Sequence, residues 1–326
     1  MVRSPLMKAA RAAPTLLPGS PGIHGLHDAV RRIKKSRYLL LLLAPTIAYY
    51  VIFHYGAMYG IIIAFKEYIP GKSFLAGKWE GGKYFSLFFE SYYFVRILRN
   101  TVVLSLLTIL CNTPVPIAFA ILLNELRNGF PKRLVQTVSY FPHFISMVIV
   151  VGLIKTFVSP VDGVINNILQ ALGREPINFL IRQEWFRPLY LISGVWQDFG
   201  WSSIIYLAAL SGINPELFEA AAIEGATRFQ RIIRITLPGI LPTIIILFIL
   251  DMGSVVNVGF EKVWLLYNPT VYETADVIAT FTYRAGINQG QFSYATAVGV
   301  FNSVANFIVL VVVNALSRRV TEHSLW

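Results

Sequence analysis

The sequence predicts an all-α membrane protein with six transmembrane helices, and three observations carry that prediction. Hydrophobic residues make up 55% of the chain and charged residues only 14%, where a soluble domain carries roughly a quarter charged. Six stretches, 38–65, 101–124, 138–158, 188–210, 238–259 and 294–316, reach the roughly 20 apolar residues that a helix needs to cross about 30 Å of hydrocarbon. The charges between those stretches alternate in kind, with Arg and Lys concentrated in every second segment.

Residues 1–36 hold scattered Pro, Gly, Ala and Arg, with no apolar run of signal-peptide length, so they are expected to be a retained, poorly ordered cytoplasmic tail. Residues 37–326 form the membrane domain. If the tail is inside, basic residues such as Arg31, Arg32, Lys34, Lys35, Lys132, Arg133, Arg228 and Arg318 all fall on the cytoplasmic side. The outer segments are close to balanced, so both termini are expected in the cytoplasm. This pattern also explains the net charge of +11 without nucleic acid as a partner. Cys111, the one cysteine, lies in the second span and excludes both a disulfide within the chain and a multi-cysteine metal site.

The first outer loop, about 66–100, is rich in glycine and aromatics, and the spacing of Tyr84, Phe85, Phe88, Phe89, Tyr92 and Tyr93 predicts an interfacial amphipathic helix over 84–97. The outer loops 159–187 and 260–293 are either docking surfaces for an external partner or plain connectors.

Between the fourth and fifth spans, residues 214–238 are expected to face the cytosol. Asn214 suits an N-cap, Pro215 the first helical position and Glu216 the positive end of the helix dipole. Ala220, Ala221 and Ala222 give a thin helix side, and Gly225 permits a sharp turn. Arg228, Arg231 and Arg234 then recur every third residue on a second helix, which is expected to run to Leu237 and the helix-breaking Pro238. By these residues alone the segment is a protruding, partner-ready corner, or simply a capped loop with an anchoring basic edge.

The spacing of Glu219-Ala220-Ala221, Gly225, Ile235 and Leu237-Pro238 resembles the EAA loop of binding-protein-dependent ABC importer permeases. The likeness extends over about 95–320, the expected family core, and implies a type I ABC importer permease fold. It implies a coupling helix that inserts into a cleft of a separate ATPase, with Glu219, Ala220, Ala221 and Gly225 at the contact. It further implies a second permease subunit, different from this one, two ATPase subunits that bind ATP and Mg, and a periplasmic or extracellular solute-binding protein, all at a bacterial inner membrane. This chain would itself hold no cofactor. Tyr140 to Ser146, Trp196 to Trp201 and Tyr267 to Gly286 are similar to the carbohydrate-uptake branch, and the last run resembles permeases for oligosaccharides of plant and algal polymers. Alginate oligosaccharide import is the specific expectation.

Ionisable groups at bilayer depth cost about 2.5–3.5 kcal/mol, so Asp198 and Asp251 should face a polar interior. With Trp196, Gln197, Trp201, Asn257 and Asn302, they either line a sugar path, where hydroxyls are hydrogen-bonded and rings stack, or bond across helices as glue. Two carboxylates repel an anionic sugar unless they are paired. His54, His143 and Lys155 are weaker candidates, and neither they nor His24, His27 and His323 form a metal-ligand pattern. No nucleophile and base stand at a recognisable spacing, and Gly71-Lys72-Ser73 lacks the first glycine of a phosphate-binding loop, so the chain is not expected to be an enzyme. The rival expectation is an ion-coupled secondary transporter that uses Asp198 and Asp251 as its ion sites.

Overall fold

The computed structural model describes residues 36–73 and 76–321, and among these the regular structure is helical apart from one isolated bridge between Lys66 and Trp79. The chain divides into two units, up to Gly60 and from Ile61 onward. Most of the expected 1–36 tail, including His24 and His27, lies outside the described residues, as does His323.

In the first unit, α1 (Arg37–Tyr49) continues through a π turn at Tyr50–Tyr55. Pro45 inside it removes one backbone donor, and the described side chains are exposed, as expected of a helix that meets lipid or a partner. His54 is accounted for locally: its ring stacks on Tyr50 with centroids 4.9 Å apart.

The first α-helix of the second unit is the short α2 (Lys83–Phe89), followed by α3 (Phe94–Asn112). The interfacial helix expected over 84–97 is therefore two helices with a break between them. Phe88 is the reason: it is fully buried, with ring centroids 5.0 Å from Phe94 and 5.3 Å from Phe301, so one face of α2 is packed into the protein while Leu87 and Phe89 stay exposed on the other. At the break, the Ser91 hydroxyl accepts from the Tyr93 amide.

Helix α3 runs on into α4 (Pro114–Glu125), where Pro114 sits at a first-turn position that needs no donor, and the whole Phe94–Glu125 run starts earlier than the expected 101–124. The third expected span is broken. After α5 (Phe130–Tyr140) and a tight turn at Phe141–Phe144, the chain bends by 99° into α6 (Met147–Phe157). At 11 residues, α6 covers about 16 Å, roughly half the hydrocarbon thickness.

The loop 159–187, expected outside, holds α7 (Val164–Ala171) and is closed by the fully buried Asn166, which bonds to the backbone of Val158, Ser159 and Ile177. Next comes α8 (Gln183–Ser211), the central helix, which contacts α3, α4 and α5 and later elements. Its buried stripe, Phe186, Tyr190, Ser193, Gln197, Gly200, Ser203, Tyr206 and Leu210, follows helical spacing but is half polar. A helix surrounded by protein does not need to be lipophilic, and α8 is long but too polar to count as a span by composition.

The corner contains α9 (Pro215–Ile223) and α10 (Arg228–Arg231), and a π turn at Ile232–Thr236 leads into α11 (Leu237–Met252). Pro238 does not break the helix as the sequence predicts. The wide turn ahead of it relieves the missing donor and the ring clash, so Arg228–Met252 is one helical run. The same turn shifts the helical phase, taking Arg234 out of the simple three-residue register with Arg228 and Arg231.

The loop 260–293, expected outside, is mostly buried or half-buried and folds into α12 (Phe260–Leu266), α13 (Tyr272–Ala275) and α14 (Ile278–Tyr283). Its fully buried Asp276 takes two bonds from Arg284, at 2.6 and 3.2 Å, and one from Thr280 at 2.9 Å. Burial works against the charge of Arg284, but its bonds to Asp276 outweigh that and raise its pKa. The final helix, α15 (Phe292–Thr321), supplies Phe301 to the Phe88 cluster. Among the described residues, four helices are long and apolar enough to cross a membrane, or five if the bent pair counts as one span.

Candidate functional site

The corner is built from local chemistry. The Asn214 side chain accepts from the Glu216 amide at 3.0 Å, capping α9 with Pro215 in its first turn. At the other end Gly225 adopts φ +78°, where its amide bonds to the Ala222 carbonyl and the Ala226 amide to Ala221, an arrangement that favours glycine. Thr227 and Gln230 then form a capping box that starts α10, with bonds of 3.3 and 2.8 Å. Thr-x-x-Gln is the signal that could have predicted this restart. Glu219 and Ala220 are exposed, Ala221 is half-buried, and α9 has no buried residue. Ile223 and Phe229 are 88% and 69% exposed on the same corner, leaving apolar surface without a protein partner in this chain.

The other candidate is a cavity of about 560 Å³ between α3, α8 and α11. Asp198, Trp201, Asp251 and Asn257 all line it, joined by Ser105, Thr108, Asn112 and Tyr206. The remaining sequence candidates stand elsewhere. Trp196 projects from another side of α8, five residues from Trp201 and so about 140° around the helix. Gln197 is buried and donates to the Ile145 carbonyl at 3.1 Å, tying the bend between α5 and α6 to α8. Asn302 does not line this cavity, and its neighbour Asn306 accepts from the Val256 amide at 2.8 Å.

Asp198 is not isolated. His143 Nδ1 lies 2.9 Å from Asp198 Oδ1, and the imidazole stacks on Trp201 with centroids 4.7 Å apart and an interplanar angle of 2°. Gly200 makes this possible, since a β-carbon there would overlap the Ser139 backbone at the end of α5. His143 is a weak candidate by sequence because nothing in the order of residues indicates that the bend brings it back onto α8. Lys155 is exposed near the end of α6.

The model of the family described as "Binding-protein-dependent transport system inner membrane component" matches residues 112–322. The chain belongs to that family. It is thus a membrane-spanning permease subunit of an ABC importer, with the type I permease fold, and not an enzyme. This permease is 43% identical over 295 residues to the polygalacturonan/rhamnogalacturonan transport system permease protein YteP of Bacillus subtilis (strain 168), covering 90% of this chain and 92% of that one. It is 42% identical to protein LplB of the same organism over 294 residues, with the same coverage. Among solved structures, it resembles a chain of a bacterial ABC transporter involved in the import of the acidic polysaccharide alginate, with TM-score 0.83, 44% identity and coverage of 90% and 99%. A second structure, of a bacterial alginate ABC transporter in complex with an alginate pentasaccharide-bound periplasmic protein, matches with the same figures.

Proposed function

We propose that this chain is one of two different permease subunits of a bacterial inner-membrane importer for acidic oligosaccharides, alginate fragments foremost. Both termini, with residues 1–36 as the tail of a 37–326 permease domain, lie on the cytoplasmic side. Two ATPase subunits, which bind ATP and Mg, dock at 214–238 through Glu219, Ala220, Ala221 and Gly225, and a solute-binding protein delivers the sugar outside. The substrate reading draws on the alginate transporter structures and the polygalacturonan relative.

One observation carries the coupling: the helical run Arg228–Met252 starts at the corner and ends at Asp251 in the cavity wall. Closure of the ATPases would move the corner, and the helix would carry that movement to the cavity. Family membership makes this reading fit better than the ion-coupled alternative. The test is uptake of labelled uronate oligosaccharides into vesicles holding the permease pair, the ATPases and the binding protein. Uptake should require ATP, and replacing both Glu219 and Gly225 should abolish it. ATP-independent uptake driven by an ion gradient would overturn the reading.

A further inference from the structure

Lys262 on α12 is only 4% exposed, yet among the described residues no carboxylate forms an ion pair with it. Its ammonium donates to the Tyr190 carbonyl at 2.8 Å and stands 4.7 Å from the centroid of the Tyr190 ring. Gly194 makes room for it, since a β-carbon there would lie 3.1 Å from the amine. A carbonyl and a ring face hold an ammonium in place without neutralising it.

The amine borders a cavity of about 330 Å³ that shares Thr108, Asn112, Tyr190, Asp198 and Gly259 with the larger one. Two acidic residues line it, Asp198, which His143 holds at 2.9 Å, and the exposed Glu261. Gln197 lines it too; the residue is 5% exposed, and its buried Oε1 has no hydrogen-bond partner although the same amide donates to Ile145. An orphaned acceptor of this kind costs free energy until a donor arrives.

An unneutralised ammonium beside an unfilled acceptor is the complement of a sugar acid, which presents a carboxylate beside hydroxyl donors. We propose that Lys262 and Gln197 form a selectivity site in this permease, with Lys262 taking the carboxylate of a passing uronate residue and Gln197 Oε1 a neighbouring hydroxyl. This rests on the acidic-oligosaccharide reading above. It also answers the repulsion expected from Asp198 and Asp251, because among the described residues that line the two cavities Lys262 is the only Lys or Arg, and it is placed where it can offset them.

The experiment compares vesicle uptake of a uronate oligosaccharide with that of its methyl-esterified, neutral form, at saturating binding protein, in the intact complex. Lys262→Gln keeps an amide donor for Tyr190 while removing the charge, and should lower the acidic-to-neutral uptake ratio about tenfold; Lys262→Arg should leave it near wild type. Gln197→Leu should slow both substrates and leave the ratio unchanged. Equal ratios in wild type and Lys262→Gln overturn the selectivity site and leave the importer reading intact. Should Lys262→Gln fail to assemble, Lys262→Met takes its place under the same criterion. A wild-type complex that moves no uronate at all sinks the substrate reading, and the selectivity site with it.

Discussion

The corner and the cavity are held by opposite kinds of contact. At the corner every capping bond joins residues two to five positions apart: Asn214 to Glu216, Ala226 to Ala221, Thr227 to Gln230. Around the two adjoining cavities the decisive contacts bridge 50 residues or more, from His143 to Asp198, Gln197 to Ile145 and Lys262 to Tyr190. The corner can therefore keep its shape while it moves as a unit against another protein, whereas the cavity changes shape whenever its helices move apart. That division suits a machine in which one end is gripped and the other must open and close.

Substitutions can break or sharpen this contrast. The largest effect is expected from Gly200→Val, which drives a side chain into the Ser139 backbone; it should cost about 3 kcal/mol and lower the thermal midpoint of the purified complex, while the isolated corner sequence is untouched. A stable Gly200→Val complex would show that the contact between α5 and α8 is dispensable. Next, Gly225→Val places a β-branched residue at φ +78°, at a cost of about 1–2 kcal/mol. Because that strain is confined to the corner, substrate-stimulated ATP hydrolysis should fall at least tenfold with the membrane helices still assembled. Thr227→Val removes the capping box, costing about 1 kcal/mol, and should show as faster amide exchange across 226–232 alone. Protection lost equally around Trp201 would erase the proposed independence of the two regions. The smallest change is expected for His143→Phe, which keeps the stack on Trp201 but frees Asp198. Acidic oligosaccharide uptake should then slow a few-fold through repulsion, with neutral uptake unaffected.

This contrast also decides what could be read from the sequence. Asn214, Pro215 and Gly225 act within one turn of themselves, so their roles follow from residue type and order alone. The positions of the long apolar helices follow as readily from composition. By contrast, the bend after Phe144 leaves no trace in an apolar pattern, because 138–158 remains hydrophobic on both sides of it. Trp196 and Trp201 look equivalent in sequence, and only the rotation between them separates one from the cavity. Pro238 was misleading since a π turn, whose signature is structural, absorbs it. Lys262 gave no signal at all: on paper it is one more cation in an outer loop, and only the folding of α12 against Tyr190 buries it.

The unbroken run from Arg228 to Met252 has a simple mechanical consequence. A helix of 25 residues is about 37 Å long, so a tilt of about 10° about either end swings the opposite end by about 6 Å, more than the width of a water molecule and close to that of a sugar ring. Very little rotation is needed at one end of this helix to decide whether a pyranose fits at the other.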